Sequence, residues 1–137
     1  MAGTKAFKDV NPSFTKEVVV IDPVQTTNAT PLVAYSIPVK QNRAITVKAS
    51  FVASVSDFSN CASGDGTATF RRQTGNLART NITTAGLLLN ILGDFLLSQP
   101  TVDLVANTTT QAVDVTVTGK LGLTVNWNIE IESKYTN

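Results

Sequence analysis

The clearest signal in the chain is an alternation of apolar and polar residues with a period of two, which is typical of β-strands that have one buried face. It is most regular over 123–132, LTVNWNIEIE, where every second residue from Leu123 to Ile131 is apolar. The same period over 43–55, RAITVKASFVASV, predicts another long strand. Because Trp127 lies mid-strand on the apolar face, we expect it to be a core residue.

Shorter runs predict further strands, and the prolines at both ends of one of them, Pro31 and Pro38, indicate a sheet edge. The last three strands of the chain are predicted to form an antiparallel meander. The shorter predicted strands are 17–21, 31–39, 67–75, 101–109 and 111–119.

Two segments between these strands, 63–66 and 82–98, do not show the period of two. SGDG at 63–66 predicts a turn, since glycine and aspartate supply turn conformations. The apolar segment 82–98, ITTAGLLLNILGDFLLS, fits a short helix lying on the sheet or a buried strand pair that turns at Gly93 and Asp94. Gly86 and Gly93 favour strands and loops, because each glycine weakens a helix by about 1 kcal/mol relative to alanine.

Seven or eight short strands in a chain of 137 residues predict an all-β fold, either an antiparallel β-sandwich or a jelly-roll-like barrel. We assign residues 17–137 to this single domain, with a short helix left open over 82–98. Residues 1–16 have no regular period and are predicted to be an N-terminal arm that is ordered by contact with another surface.

Composition excludes several classes of function. Charged residues make up 15% of the chain and the net charge is +1, so we expect no nucleic-acid partner. No segment approaches the roughly 20 apolar residues that span a bilayer, so we expect no membrane partner. The N-terminus lacks the features of a signal peptide, which indicates synthesis and retention in the cytoplasm.

Candidate catalytic and metal-binding residues are few. The chain has no histidine and a single cysteine, Cys61. It therefore lacks the histidine base of the common Ser–His and Cys–His catalytic pairs and the histidine and cysteine ligands of the common zinc sites. Glu130 and Glu132 share one face of one strand, whereas glycosidase carboxylates usually come from different strands. We therefore expect no enzymatic activity and no cofactor.

Three stretches of the second half together resemble a C-terminal β-domain pattern of tailed-bacteriophage virion proteins. They are TATFRRQTGNL from residue 67, AVDVTVTG from residue 112, and LTVNWNIEIE from residue 123. The resemblance covers about half of the chain, residues 66–133. It implies a virion component, made in the host cytoplasm, whose copies associate symmetrically, often as trimers.

Within that class, a single small domain with an arm favours a capsid decoration, or cement, protein that binds its own copies and the major capsid protein or another virion protein. We expect assembly contacts from Phe7 and Phe14 in the arm and from Arg71 and Arg72, whose guanidinium groups suit carboxylates across a subunit contact. The alternatives are a tail or head-fibre subunit that binds the host surface, and a carbohydrate-binding module. The aromatic candidates for the latter are Tyr35, Phe58 and Tyr135.

Overall fold

The computed structural model describes residues 4–10, 13–80 and 86–137, and these form an all-β protein with no α-helix in the described residues. The strands of the described residues pair only in antiparallel fashion and form two sheets. The strands found in the described residues are β1 Thr4–Val10, β2 Phe14–Ile21, β3 Val24–Thr26, β4 Leu32–Pro38, β5 Arg43–Val55, β6 Cys61–Arg72, β7 Ala78–Arg79, β8 Leu88–Gly93, β9 Thr101–Asn107, β10 Ala112–Thr118 and β11 Val125–Thr136.

The large sheet has the order β1-β2-β11-β5-β6-β7. Strand β3 pairs with the start of β11, beyond the end of β2, and β8 pairs with the first half of β6. The small sheet has the order β4-β10-β9. The two sheets do not close into a barrel, so of the two predicted architectures the structure is consistent with the sandwich.

The core lies between the sheets, where the apolar positions of both alternating patterns meet. From β10, Val113, Val115 and Val117 are fully buried, and they face the large sheet, which contributes Trp127 and Phe70. Trp127 is confirmed as a core residue. Its ring lies 5.1 Å from that of Phe51, and its Nε1 donates a hydrogen bond of 3.0 Å to the Thr26 hydroxyl.

The predicted edge position of the proline-bounded strand is confirmed, because β4 is an outer strand of the small sheet. The predicted meander of the last three strands is wrong in its final step. Strands β9 and β10 pair with each other, but β11 crosses to the large sheet and pairs with β5, β2 and β3. A twelve-residue strand with an apolar inner face buries more surface at the centre of the long sheet than at the edge of the short one.

The predicted turn at 63–66 is also wrong, since these residues lie within β6 and the turn occurs earlier, at 56–60. Gly64 instead allows β6 and β8 to pack closely against each other. A Cβ atom on Gly64 would collide with the Asn90 carbonyl oxygen of β8 and come within 2.8 Å of the Ile91 Cα atom. Glycine in a strand interior often marks such a close approach of backbones.

The described residues of the segment predicted as an arm, apart from Ser13, are part of the large sheet. Residues 4–10 form the edge strand β1, and β2 begins at Phe14 rather than at residue 17. Thr15 is buried and pairs with Tyr135 of β11. The arm prediction is therefore corrected for residues 4–10 and 14–16, because backbone pairing orders a strand whose side chains show no clear period.

Candidate assembly surfaces

The two phenylalanines predicted as contact residues lie on the outer face of the large sheet. Phe7 of β1 is 63% exposed and Phe14 of β2 is 40% exposed. Phe7 stands opposite Val18, four residues from Phe14 along β2, which is roughly 13 Å. The structure thus presents both side chains on one face without bringing them together.

The predicted arginine pair is divided between two roles. The Arg72 guanidinium donates hydrogen bonds to the carbonyl oxygens of Gly75 at 3.0 Å and Val39 at 2.8 Å. Arg71 points to the outer face and is exposed. Arg72 therefore fixes loops of its own chain, while a contact role for Arg71 stays a prediction.

The most exposed large apolar side chains of the described residues gather at one end of the sandwich, and of these only Phe58 was singled out from the sequence, as a candidate for carbohydrate binding. We call this set the apolar end. Its members have side chains that are 75–97% exposed, and they lie at the C-terminal end of β8 and in the loops 56–60, 94–100 and 119–124. They are Phe58, Leu92, Leu96, Leu97 and Leu121.

The predicted burial of segment 82–98 is therefore wrong for most of its described part. Strand β8 does form, as the preference for strands over a helix predicted, while residues 82–85 lie outside the described residues. Leu88 and Leu92 point away from the core because β8 is an outer strand and the small sheet covers only one face. The run of leucines carried no alternation that could have revealed this exposure.

Hydrogen bonds hold the loop 94–99 in a fixed shape. At one end the Asp94 carboxylate accepts a bond of 2.7 Å from the Cys61 amide. At the other, the Gln99 side chain bonds to both the amide and the carbonyl of Phe95, whose ring is buried. The Lys120 ammonium donates to the Leu96 carbonyl at 3.2 Å, which ties the 119–124 loop to this one.

Leu97 occupies the centre of a strained turn. Its φ angle is 72°, and the Ser98 amide donates a hydrogen bond of 2.9 Å to the Leu96 carbonyl across it. This is the geometry of the rare, strained γ-turn. The turn leaves the leucine side chain 97% exposed, so no burial within the chain compensates the strain.

Phe58 shows the same combination of features in the loop between β5 and β6. Its φ angle is 60° and its side chain is 78% exposed. Asn60 of this loop donates a hydrogen bond of 3.0 Å to the Asp94 carbonyl, which joins it to the leucine loop. Two apolar residues in backbone conformations that L-residues avoid thus stand at the same end of the molecule. Backbone strain of this kind clusters at functional sites.

The opposite end of the large sheet has a shallow depression on its outer face, which we call the distal hollow. It has a volume of about 280 Å³ and is mostly apolar. Its lining residues are Phe14, Ala44, Ile45, Thr46, Lys134, Tyr135 and Thr136.

Beside the distal hollow, a charged cleft of about 330 Å³ opens between the edges of the two sheets. Lys8, Lys40 and Arg43 line it together with one carboxylate, that of Glu17. The Arg43 guanidinium lies 4.7 Å from the centre of the Tyr135 ring, a cation–π contact. Three cations against one carboxylate make this cleft positive.

The aromatic residues proposed for sugar binding are in different surroundings. Tyr35 is half-buried between the sheets, and burial, with a smaller effect of the Glu17 charge, raises the pKa of its phenol above 10.0. Tyr135 is covered by Arg43. Only Phe58 presents an open ring face among these three.

Candidate metal-binding side chains do not cluster in the part of the chain that the structure describes. No three carboxylate or thiol side chains there lie close enough to hold a metal ion. Glu132 makes an ion pair of 3.9 Å with Lys16, and Glu130 is exposed on the same outer face. No helix among the described residues is long and apolar enough to cross a membrane.

Comparison of the chain with known proteins finds no matching protein family, no similar curated protein and no similar solved structure. The resemblance to phage virion proteins, which depends on three strands of the second half, therefore stays a prediction.

Proposed function

We propose that this protein is a non-enzymatic structural component of a tailed-bacteriophage virion, a capsid decoration protein that associates with its own copies and binds the head lattice. The observation that carries the proposal is the apolar end. Large exposed apolar patches on soluble proteins mark interaction sites.

The rigidity of the apolar end supports binding rather than incidental exposure. An interface gains affinity when its contact residues are held in the bound conformation beforehand, because less conformational entropy is lost on association. Asp94, Gln99 and Lys120 hold the loop that carries Leu96 and Leu97 in this way. Buried large side chains at the centre of an interface supply most of its energy.

In a decoration protein the contacts act together. A symmetric oligomer, with a trimer as the expectation from the resemblance, binds a lattice of matching symmetry through several weak contacts at once. Each additional contact is then intramolecular, and the overall affinity can exceed that of one contact by about 10² to 10⁴.

Two measurements test the proposal. Light scattering of the purified protein at several concentrations gives its mass, and sedimentation with empty phage heads gives binding to the lattice. We expect an oligomer that sediments with the heads. A protein that stays monomeric at every concentration and remains in the supernatant would contradict the proposal.

A carbohydrate-binding function is the second candidate, favoured by one observation. The open ring of Phe58 lies beside a groove of about 340 Å³ lined by Asp57, Ser59 and Asn60. Sugars stack on exposed aromatic rings while polar side chains bind their hydroxyls. A glycan array with wild-type protein and the Phe58→Ala variant tests it, and binding that disappears in the variant would favour this function.

A further inference from the structure

The two ends of the large sheet differ in shape and charge in a complementary way. The apolar end projects Leu96 and Leu97, and the exposed carboxylates Asp57 and Asp94 lie beside them. The other end carries the distal hollow and, next to it, the positive cleft with Lys40 and Arg43. One end therefore offers a knob beside two carboxylates and one cation, Lys120, and the other offers a depression that is lined by Lys134 and adjoins a positive cleft.

The distal hollow has room for the knob. Its volume of about 280 Å³ corresponds to several water molecules at about 30 Å³ each, which is enough for a leucine side chain of four carbon atoms. Its lining includes Phe14, Ala44 and the aliphatic part of Lys134, whose side chains lie on the outer face of the sheet. Since Ala44 is exposed and small, the hollow is open to an incoming side chain.

We propose that copies of this chain associate head to tail, with Leu97 at the apolar end of one copy inserted into the distal hollow of the next. This inference rests on the proposed self-association and specifies its contact. The contact joins two different surfaces, so it is heterologous and generates a ring if it closes or a filament if it does not. Because the hollow lies on the outer face of the sheet, successive copies are turned relative to each other, as ring closure requires.

Charge contributes to the orientation of this contact. Asp57 and Asp94 of one copy approach the cations on the outer face of the next. These are Lys134 in the lining of the hollow and Arg71, which stands opposite Ala44, and complementary charges of this kind steer association and fix the register. We expect association to weaken moderately between low and high salt, since exposed charge pairs are screened, and the apolar part of the contact to persist.

Two variants test the arrangement by removing one surface each. Leu97→Asn removes the knob and keeps the fold, because asparagine tolerates a positive φ angle and the leucine is exposed. Ala44→Glu fills the hollow and places a like charge opposite the carboxylates of the apolar end. Val33→Thr, at an exposed position of the small sheet, is the matched control. Circular dichroism and thermal unfolding show that each variant is folded.

We expect Leu97→Asn and Ala44→Glu each to weaken self-association by about tenfold or more, so that they are monomers where the wild type and the control are oligomers. A mixture of the two variants in equal amounts should then form a dimer and nothing larger. In that mixture the intact knob of Ala44→Glu meets the intact hollow of Leu97→Asn, while the other two surfaces are disabled.

Other outcomes overturn the inference in distinguishable ways. If the wild type is an oligomer but the mixture stays monomeric, the copies meet through one self-complementary surface and only the head-to-tail contact is refuted. If both variants keep the wild-type mass, the contact lies elsewhere on the molecule. If the wild type itself is a monomer at every concentration, the proposed self-association fails together with the inference.

Discussion

The hydrogen bond from Trp127 to Thr26 joins the long strand β11 to the short strand β3 inside the core, and we predict that Trp127→Phe lowers the free energy of unfolding by about 2.5 kcal/mol. The change removes two ring carbons from a fully buried site, which costs about 1.6 kcal/mol at ~0.8 kcal/mol per buried carbon group. It also removes the 3.0 Å bond from Nε1, which contributes about 1 kcal/mol.

Urea unfolding followed by far-ultraviolet circular dichroism measures this loss, since Trp127 is the only tryptophan and its fluorescence disappears in the variant. Thr26→Val tests the acceptor, because it leaves the indole N–H buried and unpaired at a cost of about 1–3 kcal/mol. In the double variant the two losses should be non-additive by about 1 kcal/mol.

Thr67→Val, on the outer face of β6, is the matched control and should be nearly neutral. A loss below about 1 kcal/mol for Trp127→Phe would refute the reasoning, as it would mean that the ring is neither tightly packed nor bonded. Additive losses in the double variant would refute the hydrogen bond specifically.

Further predictions concern strand packing, the strained turn and pH. Gly64→Ala should lower the free energy of unfolding by about 2 kcal/mol or more through collision with β8, whereas Gly75→Ala, with open space around its Cα, should be neutral in the same urea assay. Leu97→Gly should raise the free energy of unfolding by about 0.5–1 kcal/mol, because relief of backbone strain exceeds the entropy cost of glycine; a lower melting temperature would contradict this. Because the pKa of Tyr35 is raised, the phenol keeps its proton to a higher pH in the folded chain than in the unfolded chain. The contribution of Tyr35 to the free energy of unfolding is therefore full below pH 10.0 and is lost as pH rises through the raised pKa. Tyr35→Phe should therefore reduce the fall in the urea midpoint between about pH 9 and pH 11, and an unchanged fall would contradict the assignment.

The residues of the candidate assembly surfaces could be predicted only in part from the sequence. Exposure of Phe7 and Arg71 matches their expected place on the surface. The internal role of Arg72 could not be predicted, because its partners on Val39 and Gly75 are brought near it by the connection between β4 and β5 and by the turn that follows β6. The apolar end escaped prediction because exposure of Leu97 depends on a turn conformation that no residue type in the segment requires.

The strands β5, β10 and β11, the all-β class and the burial of Trp127 could all be predicted from the amino-acid sequence. These follow from alternation along the chain, since successive side chains of a strand point to opposite faces whatever the strand pairs with. Tertiary structure alone decided that β11 lies between β2 and β5, and that Gly64 lies within a strand. Pairing partners and the exposure of an outer strand depend on residues distant in the chain, and a local period carries no information about them.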